Sequence, residues 1–238
     1  MDLKESDILG DAIGQHWYYQ SKMKAVRRLL GNIPARQILD VGAGSGFFSR
    51  GLLAEGHAEQ ACCVDISYPA DSDATHAGKP ISFRINIDQI DADLVLLMDV
   101  LEHVDDDVGL LSDYVAKVPS GALFLISVPA FNFLWSGHDV FLEHRRRYDL
   151  PQIEQVARRA GLEVTLGSYY FGAVFPIAAA TRLAGRLSGQ NQQQPRSQLK
   201  MHHPAVNTVL AKLSSLELPL LRHNRLAGLT AFCLARKP

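Results

Sequence analysis

Apolar positions fall into two periods along the chain. Short apolar runs at 37–41, 60–66, 81–87, 93–98, 122–128, 163–168 and 229–235 read as strands. Between several of them the spacing lengthens to three and four. Residues 5–31 place Ile8, Leu9 and Ile13, then Met23, Val26, Leu29 and Leu30, on one helical face. Gly31-Asn32 stops that helix and Pro34 bars its continuation. Further helices are expected at about 45–55, ending at Gly56, at 108–118, and at 150–160, where Gly161 caps the end. Pro69 closes the second strand region, and Pro119-Ser120-Gly121 turns the chain into the run at 122–128.

Strands alternating with helices imply a mostly parallel sheet covered on both faces. The runs at 60–66, 93–98 and 122–128 are nearly all apolar, as strands buried on both sides should be. The expected fold class is α/β: a doubly wound, seven-stranded, mostly parallel sheet. It carries a helical cap at 1–34 and a helical insertion at about 170–226, before the last strand. One domain over 1–238 is expected, with the polar stretch 190–198 as a mobile loop inside the insertion. Ligands of such sheets lie beyond the carboxyl ends of the strands. That rule gathers Gly42 to Gly46, Asp65, Asn86, Asp99 and the loop 129–149 around one crevice.

Composition narrows the partners. Hydrophobic residues make up 47% of the 238, enough for a full core, and the net charge of −1 gives no global attraction to nucleic acid or anionic membrane. No extended basic face with interleaved aromatics is visible, so nucleic acid is not expected as a partner. The polar start, Met1-Asp2-Leu3-Lys4-Glu5, does not read as a signal peptide. The three cysteines include the adjacent Cys62 and Cys63, whose side chains must point to opposite faces of a strand; buried thiols in a reducing, cytoplasmic setting are expected. The apolar run 171–181 is too short to span a bilayer.

The chemistry centres on Ile38-Leu39-Asp40-Val41-Gly42-Ala43-Gly44-Ser45-Gly46. A strand ending in a glycine turn that opens a helix lets a ligand lie against bare backbone. The dinucleotide fingerprint spaces its last two glycines three apart. Here Gly44 and Gly46 are two apart, and Phe47 stands where the next glycine would be. Asp40 would repel a pyrophosphate but suits a ligand with an amino group and a sulfonium charge. Asp65, at the end of the second strand in Val64-Asp65-Ile66, can accept hydrogen bonds from ribose hydroxyls.

The stretch Asp40-x-Gly42-x-Gly44-x-Gly46 resembles the first motif of the class I S-adenosylmethionine-dependent methyltransferases. Asp93 to His103, reading D-L-V-L-L-M-D-V-L-E-H, is similar to the fourth motif of many of them. The resemblance implies S-adenosylmethionine as cofactor and a Rossmann-like sheet. It implies cofactor roles for Asp40, Gly42, Gly44, Gly46, Asp65, Ile66, Asp99 and Val100. Asn86 and Ile87 would meet the adenine amino group and ring.

A bacterial branch of that family carries similar residues in the loop after the fifth strand. Here they are Leu134-Trp135-Ser136-Gly137-His138-Asp139 and Glu143-His144-Arg145-Arg146-Arg147-Tyr148, with Glu143 where Gly is common. The same branch has a histidine–tryptophan helix over the cofactor, matched by His16-Trp17-Tyr18, with Lys22 in the place of its arginine. These matches imply Trp135, Arg147 and Tyr148 as acceptor-binding groups. The proton acceptor, where one is needed, is among His103, His138 and His144. A cation on Asp99, Glu102 and His103 is a further reading, but no metal is assigned. Consecutive arginines suit a carboxylate or phosphate on the acceptor.

The expected reaction is direct displacement at the sulfonium methyl, toward a small-molecule or lipid-like acceptor. A nicotinamide oxidoreductase on the same fold and a non-catalytic S-adenosylmethionine-binding protein are the alternatives.

Overall fold

The computed structural model describes residues 10–31, 35–187 and 203–238. Residues 1–9 of the expected cap and the stretch 190–198 lie outside the described residues.

The first long helix, α1 (Trp17–Leu30), is preceded by a 3₁₀ turn at Gly10–Gln15. The single helix expected over 5–31 is therefore broken before Trp17. His16 sits there with extended backbone and its ring accepts from the Tyr18 N–H, so α1 starts afresh. Then come β1 (Ala35–Val41), α2 (Phe47–Ala54), β2 (Ala58–Val64), β3 (Ser72–His76), β4 (Lys79–Arg84), β5 (Leu94–Met98) and α3 (Asp107–Lys117). The chain continues through β6 (Leu123–Pro129), the short α4 (Gly137–Phe141), α5 (Leu150–Arg159), β7 (Glu163–Tyr170), α6 (Phe175–Leu187), α7 (Pro204–Leu216) and β8 (Thr230–Arg236).

Eight strands form one sheet in the order β3-β4-β2-β1-β5-β6-β8-β7. Strands β4, β2, β1, β5 and β6 run parallel, and β8 pairs antiparallel with both β6 and β7. The strand beyond the seven expected is β3, an exposed edge strand paired antiparallel with β4. The two join through Ala77 and Gly78, at φ 51° and 77°, a turn in which both central residues are left-handed. The observed α/β class and mostly parallel sheet agree with the alternation of the sequence; the strand count does not.

Each central strand feeds two cores, because successive side chains leave opposite faces. Ile38, Cys63, Leu96 and Leu125 pack with α1 and α2, whereas Leu39, Cys62, Leu97 and Ile126 pack with α3 and α5. Full burial of one such aliphatic side chain stabilises by about 2 kcal/mol. Cys62, Cys63 and Cys233 are free and buried. The insertion supplies α6 and α7, and α7 is pinned to the start of α1 by one side chain. Asn207 accepts from the Trp17 N–H at 2.8 Å and donates to the Gln15 carbonyl at 3.0 Å. Among the described residues no helix is long and apolar enough to cross a membrane.

Candidate active site

The turn after β1 is built on left-handed backbone, with Gly42, Gly44 and Gly46 at φ 62°, 54° and 70°. Gly42 also has no room: a Cβ there would lie 2.7 Å from Val100 Cγ2. The Asp65 carboxylate accepts from the Gly44 N–H at 3.0 Å and from the Ser67 N–H at 2.9 Å. It thereby ties the end of β2 to the turn while still lining a cleft of about 470 Å³. Gly42, Ile66, Asp99, Val100 and His103 share the walls of that cleft. Ile66 is 89% exposed, an apolar side chain at its rim.

Asp40 stands behind the turn rather than in the cleft. It is buried and accepts from the Ser49 hydroxyl at 2.7 Å, holding α2 against β1. Burial raises its pKa to about 6, against the lowering effect of that hydrogen bond. Asn86 and Ile87 are not on the cleft walls either. The strand expected over 81–87 ends at Arg84, where the Asp71 carboxylate takes the Ile85 N–H at 2.9 Å. Asn86 is exposed, and its side-chain oxygen accepts from the Ile87 N–H.

Asp99 leaves β5 with φ 58°, a left-handed conformation that turns its side chain at the strand end. Its carboxylate accepts from the Ser127 hydroxyl at 3.1 Å and pairs with the Lys22 ammonium from α1. Lys22 is fully buried. Burial opposes its charge, but Asp99 more than compensates and the pKa rises; for Asp99, burial is likewise outweighed by Lys22 and the pKa falls.

A second cavity of about 240 Å³ adjoins, and Asp99 and His103 line both spaces. His138, His144 and Arg147 from the loop between β6 and α5 reach it, together with Trp17, Tyr18 and Leu134. A buried Asp139 organises this wall. Its oxygens accept from Arg147 Nε at 2.6 Å and Nη2 at 3.1 Å, and His144 Nδ1 lies 3.0 Å away. Burial alone would raise the Asp139 pKa, but His144 and Arg147 drive it below the usual carboxylate range. Burial and the neighbouring His144 depress the His103 pKa to about 4, so its ring is neutral at pH 7. Glu102 is buried with both oxygens lacking a hydrogen-bond partner, and burial, reinforced by Asp99, holds its pKa well above normal.

The remaining expected acceptor groups are placed elsewhere. Tyr148 is in the core, its hydroxyl donating to Asp107 at 2.8 Å. Trp135 is half-buried off the cavity wall. Of the arginine run, Arg145 faces Asp105 at 3.8 Å on the surface and Arg146 faces Asp107 at 3.3 Å, so only Arg147, clamped on Asp139, stays on the cavity wall. The lining residues not singled out from the sequence as site residues include two polar ones, Arg182 of α6 and Thr230 of β8. Arg182 follows the apolar run 171–181, with no local pattern marking it as a site residue, and only the fold brings it to the cavity.

A profile described as "Methyltransferase domain" matches residues 15–166, well over half of the chain. The chain belongs to the methyltransferase-domain family. No curated protein matches it. The methyltransferase is similar to a chain from the complex between the Haloferax volcanii Trm112 methyltransferase activator and a methyltransferase (15% identity, TM-score 0.59, covering 100% of this chain and 99% of that one). It is similar to a SAM-dependent methyltransferase from Archaeoglobus fulgidus (15%, 0.55, 99% and 98%). It also resembles the N-methyltransferase NodS from Bradyrhizobium japonicum in complex with S-adenosyl-L-homocysteine (11%, 0.53, 99% and 97%). At these identities the likeness concerns the fold. The enzyme is a class I methyltransferase whose cofactor is S-adenosylmethionine, and the nicotinamide reading of its glycine turn gives way. Phe47, in place of a further glycine, packs edge-on against Tyr19 of α1 at 5.6 Å.

Proposed function

We propose that the chain, as one methyltransferase domain, methylates a small-molecule or lipid-like acceptor held in the 240 Å³ cavity. The observation that carries this reading is the shared wall: Asp99 and His103 border both the cleft at the glycine turn and the cavity beyond it. In this reading Gly42, Gly44, Gly46, Asp65, Ile66, Asp99 and Val100 hold the donor, and Asp40 acts from behind through Ser49. Asp99 and His103 would then stand between the donor and the acceptor.

The sulfonium is already an activated leaving group, so alignment is the main task of the protein. Alignment of two reactants can supply about 7–11 kcal/mol. A bond forms from the acceptor heteroatom to the methyl carbon as the methyl–sulfur bond breaks. Sulfur keeps the electron pair, giving S-adenosylhomocysteine. A proton shed by the acceptor goes to one of the cavity histidines, His103, His138 or His144. Trp17, Tyr18 and Leu134 give the cavity an apolar side, which favours an acceptor with an apolar body. The three buried, unbridged cysteines favour a reducing, cytoplasmic setting, with peripheral membrane contact for a lipid-like acceptor.

Incubation with methyl-labelled cofactor, separately with water-soluble pools and with lipid extracts, tests this. Label in either fraction supports methyl transfer, and label confined to water-soluble products removes the lipid-like acceptor. Cofactor binding without turnover on any pool contradicts the proposal.

A further inference from the structure

We infer that Glu102, His103 and His144 form a binding site for a divalent transition-metal ion in the acceptor cavity. Each offers one ligand atom, and these atoms lie within 4.8 Å of one another. All three residues line the same cavity.

Three independent features point to a cation there. The first is Glu102, whose two carboxylate oxygens are both buried without a hydrogen-bond partner. Leaving such a group unsatisfied is costly, and a coordinated cation removes the cost. The second is the hold on His144. Its Nδ1 lies 3.0 Å from the buried Asp139, so that Nδ1–H donates and Nε2 keeps its lone pair. A carboxylate behind a histidine is the usual support of a metal-bound imidazole. Arg147 fixes that carboxylate in turn. The third is the pairing of the two imidazoles, whose rings lie 4.8 Å apart at 81°.

Two imidazoles and one carboxylate suit zinc, manganese or iron rather than magnesium or calcium. Metal bonds of about 2.0–2.2 Å put neighbouring donors roughly 3–3.5 Å apart. The cluster, with donors within 4.8 Å of one another, therefore contracts by up to roughly 1.3–1.8 Å on loading, within reach of side-chain rotation. Positions left open on the ion face the cavity. Resting on the methyl-transfer reading, their occupant is an acceptor hydroxyl. The ion lowers the pKa of that hydroxyl. Its proton goes to His138, its oxygen takes the methyl carbon, and sulfur keeps the electron pair of the broken bond. With His103 and His144 as ligands, His138 is the base.

The test uses the full chain, stripped with chelator and titrated calorimetrically with zinc and with manganese. One site of micromolar affinity or tighter is expected. Glu102→Gln and His144→Ala should each weaken it at least about tenfold, whereas the exposed His223→Ala should not. X-ray absorption of the zinc-loaded wild type should count two imidazoles, a readout that depends on no variant. Absence of saturable metal binding, unchanged affinity in both variants, or a spectrum without paired imidazoles overturns the inference. Titration with S-adenosylmethionine on the same sample separates the two proposals. Cofactor binding without metal binding sinks only the metal site. Metal binding without cofactor binding sinks the methyl-transfer reading and leaves the site.

Discussion

Replacing Lys22 with methionine probes the contact that joins α1 to the end of β5. Methionine keeps most of the side-chain volume and removes the charge. Asp99 then loses its cation partner while its carboxylate stays largely enclosed, with 24% of the side chain exposed. Breaking a buried pair by removing one partner costs about 3–5 kcal/mol. The partial exposure of Asp99 and its bond from Ser127 favour the lower end, about 3 kcal/mol. For a chain of this size that lowers Tm by roughly 6–12 °C. The double variant Lys22→Met/Asp99→Asn should regain more than half of the loss, because no unpaired charge remains. The pH dependence has a definite sign. Asp99 has a lowered folded pKa, so its contribution is present above its ordinary value and lost on acidification through the folded value. Lys22 has a raised folded pKa, so its contribution holds below its ordinary value and is lost as pH rises through the folded value. The difference in Tm between wild type and Lys22→Met should thus shrink above about pH 10 and, because burial raises the Asp99 pKa once Lys22 is gone, also shrink on acidification, starting above the ordinary Asp value. Scanning calorimetry of the three proteins across pH checks this. A Lys22→Met protein melting with the wild type at pH 7, or a double variant no more stable than the single, refutes the reasoning.

Other perturbations have equally definite outcomes. Gly42→Ala meets a left-handed backbone and Val100 Cγ2 at 2.7 Å, so cofactor affinity should fall roughly tenfold by calorimetry, for about 1–2 kcal/mol of strain. Asp65→Ala removes a charged acceptor from the donor cleft; a loss of about 1.5–3 kcal/mol, or roughly 10–100-fold in Kd, is expected, and an unchanged Kd contradicts its role. Asp40 has a folded pKa raised to about 6, so stability is lost as pH rises from its ordinary value of 3.8 through that value, and the loss is complete above it. Asp40→Asn should therefore be more stable relative to wild type at pH 8 than at pH 4.5 in denaturant titrations, and the reverse order would remove the assigned cause.

Much of the sheet was legible because doubly covered strands have few alternatives. The runs that became β5 and β6 contain almost only apolar residues, and Cys62-Cys63 landed in opposite cores as a period of two requires. Strand β3 was not legible, since Ser72 to Thr75 are exposed and carry no apolar alternation. Its one signal was Ala77-Gly78, a turn of the hairpin kind. The misplaced end of β4 has the same root, because the Asp71 carboxylate that closes it sits on the connection to the unseen strand. Gly42, Asp65, Asp99 and His103 were readable as motifs and do converge on one cleft, whereas Gly44 and Gly46 of the same turn are not on its walls. The cavity was readable only in part. Lys22 and Asp99 are 77 positions apart and Arg182 lies in a different helix again, so their meeting belongs to the fold rather than to any local pattern. Of the arginine run, Arg145 meets the exposed Asp105 and Arg146 meets Asp107, so only Arg147, held on the buried Asp139, reaches the cavity.

Calorimetric titration of the intact chain with S-adenosylmethionine, repeated with Asp65→Ala, addresses the assigned donor site most directly. The account predicts one saturable site per chain with a negative heat-capacity change from apolar burial, weakened in the variant. No saturable heat in the wild type, or equal affinity in both proteins, would contradict it.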